Sequence, residues 1–179
     1  MAIKYVRRSI CPKHGNKYFM HRLYGGYSNN AINLTNSLGK GSTLYNCVGY
    51  SWGRVIEMMC TNGKCTYDNG EEKSALELFN ARPIANACDI YEKVKKNSDD
   101  TWTARKTPVR GSIVCYFHGE YGHCAVVEKV YDNGNVDLTN CNSWTLPLWT
   151  TYTNVNPKKV FGNDYKLIGY VYNKHCTIN

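Results

Sequence analysis

A chain of 179 residues, 42% hydrophobic and 20% charged, has the composition of a globular protein and suffices for one domain with a sizeable core. A formal net charge of +8 favours polyanionic partners, yet no Lys/Arg run exceeds a pair (Arg7-Arg8, Lys95-Lys96, Lys158-Lys159), which argues against a nucleic-acid-binding arm. No apolar run is long enough to span a membrane, and Met1 to Ile10 lacks the apolar core of a signal peptide, so the expected place of synthesis is a cytoplasm.

In chain order, residues 1–24 mix basic and aromatic positions, and residues 25–43, rich in Gly, Asn and Ser, read as a long loop. Residues 1–40 are taken as an N-terminal extension and 41–179 as one compact domain. From Asn46, a favourable N-cap, the pattern turns helical. Val48, Trp52, Val55 and Met59 recur on one helix face, which puts Cys47 at the first helical position. Thr61 to Gly70 reads as turns, Ser74 to Asn80 as a short helix, and Ile84 to Lys96 as another with Ile84, Cys88, Tyr91 and Val94 inward. The second half is strand-like: Gly111 to Phe117, Gly122 to Tyr131, Asn135 to Asn142 and Tyr165 to Tyr172. Asp132-Asn133-Gly134 joins the second and third of these as a hairpin. Helices first and antiparallel strands afterwards predict an α+β domain.

The chemistry is carried by cysteine and histidine. Nine cysteines form an odd set without framework spacing and read as reduced thiols, mostly small buried residues, with at least one candidate nucleophile. A thiol attacks as thiolate. A helix N-terminus and a neighbouring histidine both favour that form. Cys47 meets the first condition by position. His123, opening an apolar strand, is the candidate for the second. Period-two alternation places His123, Ala125 and Val127 on one face, with Cys124 pointing away, as does Cys141 on the next strand. Across the hairpin, Asn140 or Asn142 falls beside His123 as the residue that orients its ring. Cys11-Pro-Lys-His14 with Cys60 and Cys65 has the look of zinc ligands, but the halves are far apart and the expectation is no metal. His118 is expected to cap its strand, Trp52 to be helix core, and His21 and His175 show no evident partners. Trp144 lines the groove or packs in the core.

The wider text fits a known family. Asn46-Cys47-Val-Gly-Tyr-Ser-Trp-Gly-Arg54 resembles the nucleophile motif of the CHAP family (cysteine, histidine-dependent amidohydrolases/peptidases). Gly122-His123-Cys-Ala-Val-Val-Glu128 resembles its histidine motif, usually Gly-His-Val-Ala-Val-Val, and Pro108 to Val114 the strand before it. The Cys47-Val-Gly-Tyr50 variant, with Gly25 to Ser28 upstream, resembles lysins of phages and prophages of Gram-positive bacteria. The resemblance covers about residues 40 to 145. It implies a papain-like fold, helices packed on an antiparallel sheet, and cleavage of peptidoglycan amide bonds, as an N-acetylmuramoyl-L-alanine amidase or a peptide-bridge endopeptidase. It implies Cys47 as nucleophile and His123 as general base and acid, with no cofactor. Family members commonly carry a glutamate and, two residues on, an asparagine; here the pair is Asn140 and Asn142. No Asp or Glu occurs in residues 30–46, so the calcium loop of some relatives is not expected. The backbone N–H of Cys47 is a candidate oxyanion donor; Asn46, Gly122 and Trp144 are further candidates for oxyanion or substrate contacts. The expected partners are peptidoglycan and anionic wall polymers, with phage tail proteins for a virion-borne lysin and no nucleic acid. Action at the wall would follow holin release or delivery from the virion. The rival expectation is a phage tail component that keeps the fold and has lost activity, since the glutamate is replaced.

Overall fold

The computed structural model describes residues 47–83, 85–97, 101–142 and 149–176. Its first element, helix α1 (Cys47–Met59), is buried on nearly every face, with Glu57 alone half-exposed. A helix buried around nearly its whole circumference belongs in a core rather than on a surface, its one cation, Arg54, being paired; Trp52 is fully buried there, edge-on to Trp102 at 4.8 Å. The segment expected as turns contains a small hairpin, β1 (Lys64–Thr66) and β2 (Glu72–Ser74), whose turn carries Gly70 at φ +85°. Helix α2 (Ala75–Asn80) starts as its sequence suggests: Ser74 and Glu77 form a reciprocal capping box.

Helix α3 (Ile90–Lys96) begins later than the apolar spacing from Ile84 suggests. Ile84 lies outside the described residues. The Cys88 N–H is given to the Tyr121 carbonyl (3.2 Å) instead of a helical partner, and Asp89 and Ile90 both donate to Asn86 in a turn that precedes the helix. A tertiary contact therefore displaces the start that local periodicity favours.

The remaining strands are β3 (Trp102–Arg105), β4 (Ile113–Phe117), β5 (His123–Val130), β6 (Val136–Cys141), β7 (Trp149–Val155) and β8 (Lys166–Asn173). They form one antiparallel sheet in the order β3-β8-β4-β5-β6-β7. The β5–β6 turn is the expected Asp132-Asn133-Gly134, with Gly134 at φ +81° and its N–H on the Tyr131 carbonyl. The α+β architecture is therefore the expected one, with helices packed on an antiparallel sheet. No helix among the described residues is long and apolar enough to cross a membrane.

Two apolar clusters sandwich the sheet. Cys115, Cys124 and Val126 face the helices together with Cys47, Trp52, Val55 and Ile90. Val114, Ala125, Val127 and Leu138 face the other way, under Phe161 and Tyr165 from the β7–β8 connection. A buried ion pair ties α1 to β5: Arg54 Nε and Nη2 each donate to a Glu128 carboxylate oxygen at 2.8 Å. Thr139 Oγ1 donates to Glu128 Oε1 at 2.6 Å, and Arg54 also reaches Glu57 at 2.6 Å.

Candidate active site

Cys47 opens α1, and the first N–H groups of a helix have no partner within it, so partial positive charge gathers at the thiol. Strand β5 runs beneath the helix from its first residue, His123. Side-chain hydrogen bonds to Cys124 and to His123, with the charge of the imidazole, hold the Cys47 thiol well below the usual thiol range, against the opposing effect of burial. Burial without a cationic partner drives the Cys124 and Cys115 thiols the other way. One thiol of the group is thus disposed to ionise, and it is the one at the helix end beside the histidine.

The alternation read from the sequence puts Cys124 on the face opposite His123, and it does lie there, among the helix-facing core residues. It packs there as expected, and α1 covers that same face, so Cys47 belongs to the same buried cluster. Ser51 Oγ, one helical turn beyond Cys47, donates to Cys124 Sγ at 3.4 Å.

His123 is half-buried and walled by aromatic rings that no sequence pattern singles out. Phe161 meets the imidazole edge-on at 4.8 Å and Tyr165 at 5.8 Å. Tyr165 is stacked face to face with the exposed His118 at 3.9 Å, so His118 borders the site through Tyr165 and does more than end a strand. Burial and the nearby Cys47 charge raise the Tyr165 phenol. Phe161 and Tyr165 lie some forty residues beyond the histidine in a connection without a distinguishing pattern, and only the fold brings them there.

Asn140 is fully buried on β6. Its Nδ2 donates to Asn142 Oδ1 at 2.8 Å and to Thr150 Oγ1 at 3.2 Å, while its Oδ1 is a buried acceptor with no hydrogen-bond partner. The β5–β6 ladder runs from Val130↔Val136 to Val126↔Thr139, one residue short of Asn140 on β6 and three short of His123 on β5. The two asparagines are linked to each other, with Asn142 accepting.

Gly122 has φ +68°, and a Cβ there would fall 2.5 Å from the Cys88 nitrogen and 2.6 Å from the Tyr116 carbonyl oxygen. Only glycine permits this close passage immediately before His123. Its N–H is donated to the His118 carbonyl at 2.9 Å, so its role here is in the backbone. Asn46 and Trp144 lie outside the described residues, as do Cys11, His14 and His21. His175, which shows no partner in the sequence, stacks on Tyr67 at 5.0 Å and lies 3.7 Å from Asp68, remote from Cys47 in the β1–β2 region. Among the described residues no group of three His, Cys, Asp or Glu side chains is placed to hold a metal ion.

A family model described as the CHAP domain matches residues 38–142, more than half of the chain. Two proteins of Staphylococcus aureus are similar over much of its length. Staphylococcal secretory antigen ssaA2 of strain MRSA252 is 28% identical over 142 residues, covering 77% of this chain and 48% of its own length. Staphylococcal secretory antigen SsaA of strain NCTC 8325 is 30% identical over 118 residues, covering 64% of this chain and 37% of its own. The chain thus spans half or less of these relatives.

Proposed function

The chain belongs to the CHAP domain family, and from that premise we propose that it hydrolyses amide bonds in the peptide part of bacterial peptidoglycan through Cys47. The observation that carries this reading is the thiol at the start of α1, with the His123 imidazole close enough to favour its thiolate form. A buried structural cysteine has no such pair of supports.

In this reading the Cys47 thiolate attacks the amide carbonyl carbon. The Cys47 N–H, first in its helix, donates to the developing oxyanion. His123, as imidazolium, protonates the departing amine and leaves a thioester on Cys47. It then takes a proton from water, which attacks the thioester and releases the carboxylate. Asn140 supports the cycle by offering its unpartnered Oδ1 to the imidazole N–H, a neutral counterpart of the glutamate common in the family. A neutral amide stabilises imidazolium less than a carboxylate does, which predicts a slower step rather than an absent one.

The test uses purified Gram-positive walls with wild-type protein and Cys47→Ala, following turbidity and new amine termini. Clearing by wild type alone, with new amines, supports the reading, and the residue bearing each amine separates amidase from endopeptidase. No clearing and no amines on several wall types, from a folded wild-type protein, overturns it in favour of a binding component that keeps the fold.

Two settings for this activity have separate support. The Cys47-Val-Gly-Tyr50 stretch resembles phage lysins and favours lysis from within. The relatives are named as secretory antigens and favour action by an exported protein. Expression in a Gram-positive host distinguishes them: lysis only after the membrane is permeabilised supports the first, and wall change in intact cells supports the second.

A further inference from the structure

The histidine motif departs from its usual wording at one position, where cysteine stands in place of valine immediately after His123. The structure gives that departure a location. Cys124 lies on the sheet face covered by α1, fully buried; Ser51 comes down on it, and Cys47, four residues earlier and so on the same side of the helix, packs in the same buried cluster. Valine in the same place would fill the volume and offer neither a donor nor an acceptor.

We propose that Cys124 is a positioning residue for the nucleophile: its S–H donates to the Cys47 sulfur and holds it as an oriented thiolate, while Ser51 Oγ donates to the Cys124 sulfur from behind. The direction of the chain follows from hydrogen-bonding capacity. Ser51 spends its hydrogen on Cys124 Sγ at 3.4 Å, so that sulfur is an acceptor toward Ser51, and its own hydrogen turns toward Cys47. Cys47 is the member that carries the charge, because it alone has the helix N-terminus and His123 beside it. Burial keeps Cys124 protonated and therefore a donor. The arrangement also offsets the neutral third member. Where a family carboxylate would stabilise the imidazolium, this chain has Asn140, and the second thiol supports the other half of the ion pair.

This inference rests on the hydrolase reading for its purpose, but its test does not depend on wall cleavage. Iodoacetamide alkylation of Cys47 is followed against pH by peptide mapping in wild type, Cys124→Val, Cys124→Ser and Ser51→Ala, each checked for a wild-type near-ultraviolet dichroism spectrum. The expected result is a rise of about one pH unit in the half-point for Cys124→Val, hence about ten-fold less thiolate below that point. Cys124→Ser, which keeps a donor, stays nearer to wild type, and Ser51→Ala shifts in the same direction as Cys124→Val but by less. A Cys124→Val profile that superimposes on wild type overturns the proposal and makes Cys124 plain packing. If Cys124→Val does not fold, the Ser51→Ala profile decides alone, and no shift there overturns it. Wall cleavage lost from a wild type whose Cys47 still alkylates at low pH counts against the hydrolase reading and leaves the role of Cys124 standing. A wild-type Cys47 that reacts only in the ordinary thiol range overturns both.

Discussion

Helix α1 and strand β5 meet at two places, and the two contacts are built on opposite principles. Toward the interior, Arg54 and Glu128 form a two-pronged ion pair with side chains only 5% and 0% exposed, and Thr139 and Glu57 take up further hydrogen-bonding capacity. At the helix start, Cys47 and His123 form a contact in which a thiol is held toward its charged form against burial, and on β6 Asn140 keeps a buried oxygen without a partner. The inner contact is saturated and serves to fix the helix on the strand. The outer one keeps capacity that a reacting group or a proton in transit can use. The same two segments thus supply a rigid joint and a reactive one, and the first fixes the geometry of the second, since a nucleophile works only when its carrier does not shift.

The comparison is most severely tested by Cys47→Ala, which is expected to lower wall-amide hydrolysis at least about 10⁴-fold with little change in melting temperature. A comparable loss of stability would erase the distinction between the two contacts. Next in size is Glu128→Ala, which takes from the buried Arg54 its two-pronged partner and leaves it Glu57. It should destabilise the fold by about 3–5 kcal/mol, read as a marked fall in melting temperature or denaturant midpoint. On the proposed role of Asn140, Asn140→Ala should lower kcat/KM by about ten- to a hundred-fold, whereas Asn140→Asp, which supplies a carboxylate as the family commonly does, should retain or exceed wild-type activity. Equal losses in the two variants would return Asn140 to a packing role. Gly122→Ala drives a methyl group into the Cys88 backbone and should cost about 2 kcal/mol, with a further loss of activity as His123 is displaced. The exposed Lys64–Glu72 pair at 3.1 Å sets the floor, and Lys64→Ala should leave the melting temperature unchanged.

Acid should act on the reactive joint through its thiol. With the Cys47 thiol below its ordinary range, thiolate and activity persist under the normal thiol range and fall only as pH drops through that lowered value. The accompanying stability has the same sign: it is present above the unfolded thiol value and is lost as pH falls through the folded one.

Much of this was legible in the sequence because it is local. The recurrence of Val48, Trp52, Val55 and Met59 marks α1, Ser74 and Glu77 mark the start of α2, and Asp132-Asn133-Gly134 marks the β5–β6 turn. These read through helix periodicity, capping and turn chemistry. The Cys47–His123 pair was legible because a helix start and a strand start each announce themselves, and the family motif joins them. The short strands β1, β2 and β3 and the late strand β7 were not legible, because three- to seven-residue mixed segments carry little periodicity. The start of α3 was set by a bond to Tyr121 that no local pattern contains. Alternation gave the correct face for Cys124 and its place in packing, but it describes one strand and does not say that the helix carrying Cys47 will cover that face. Phe161 and Tyr165 reach His123 only through the closure of the sheet.

The most direct test of a single reactive thiol is to alkylate the wild-type protein at mildly acidic pH in steps and to plot residual wall-amide hydrolysis against the fraction of Cys47 modified. The predicted result is a straight line to zero activity at complete labelling of Cys47, with the other cysteines untouched at that point. Activity that survives complete modification of Cys47, or that falls with labelling of another cysteine first, would contradict the assignment of Cys47 as the nucleophile.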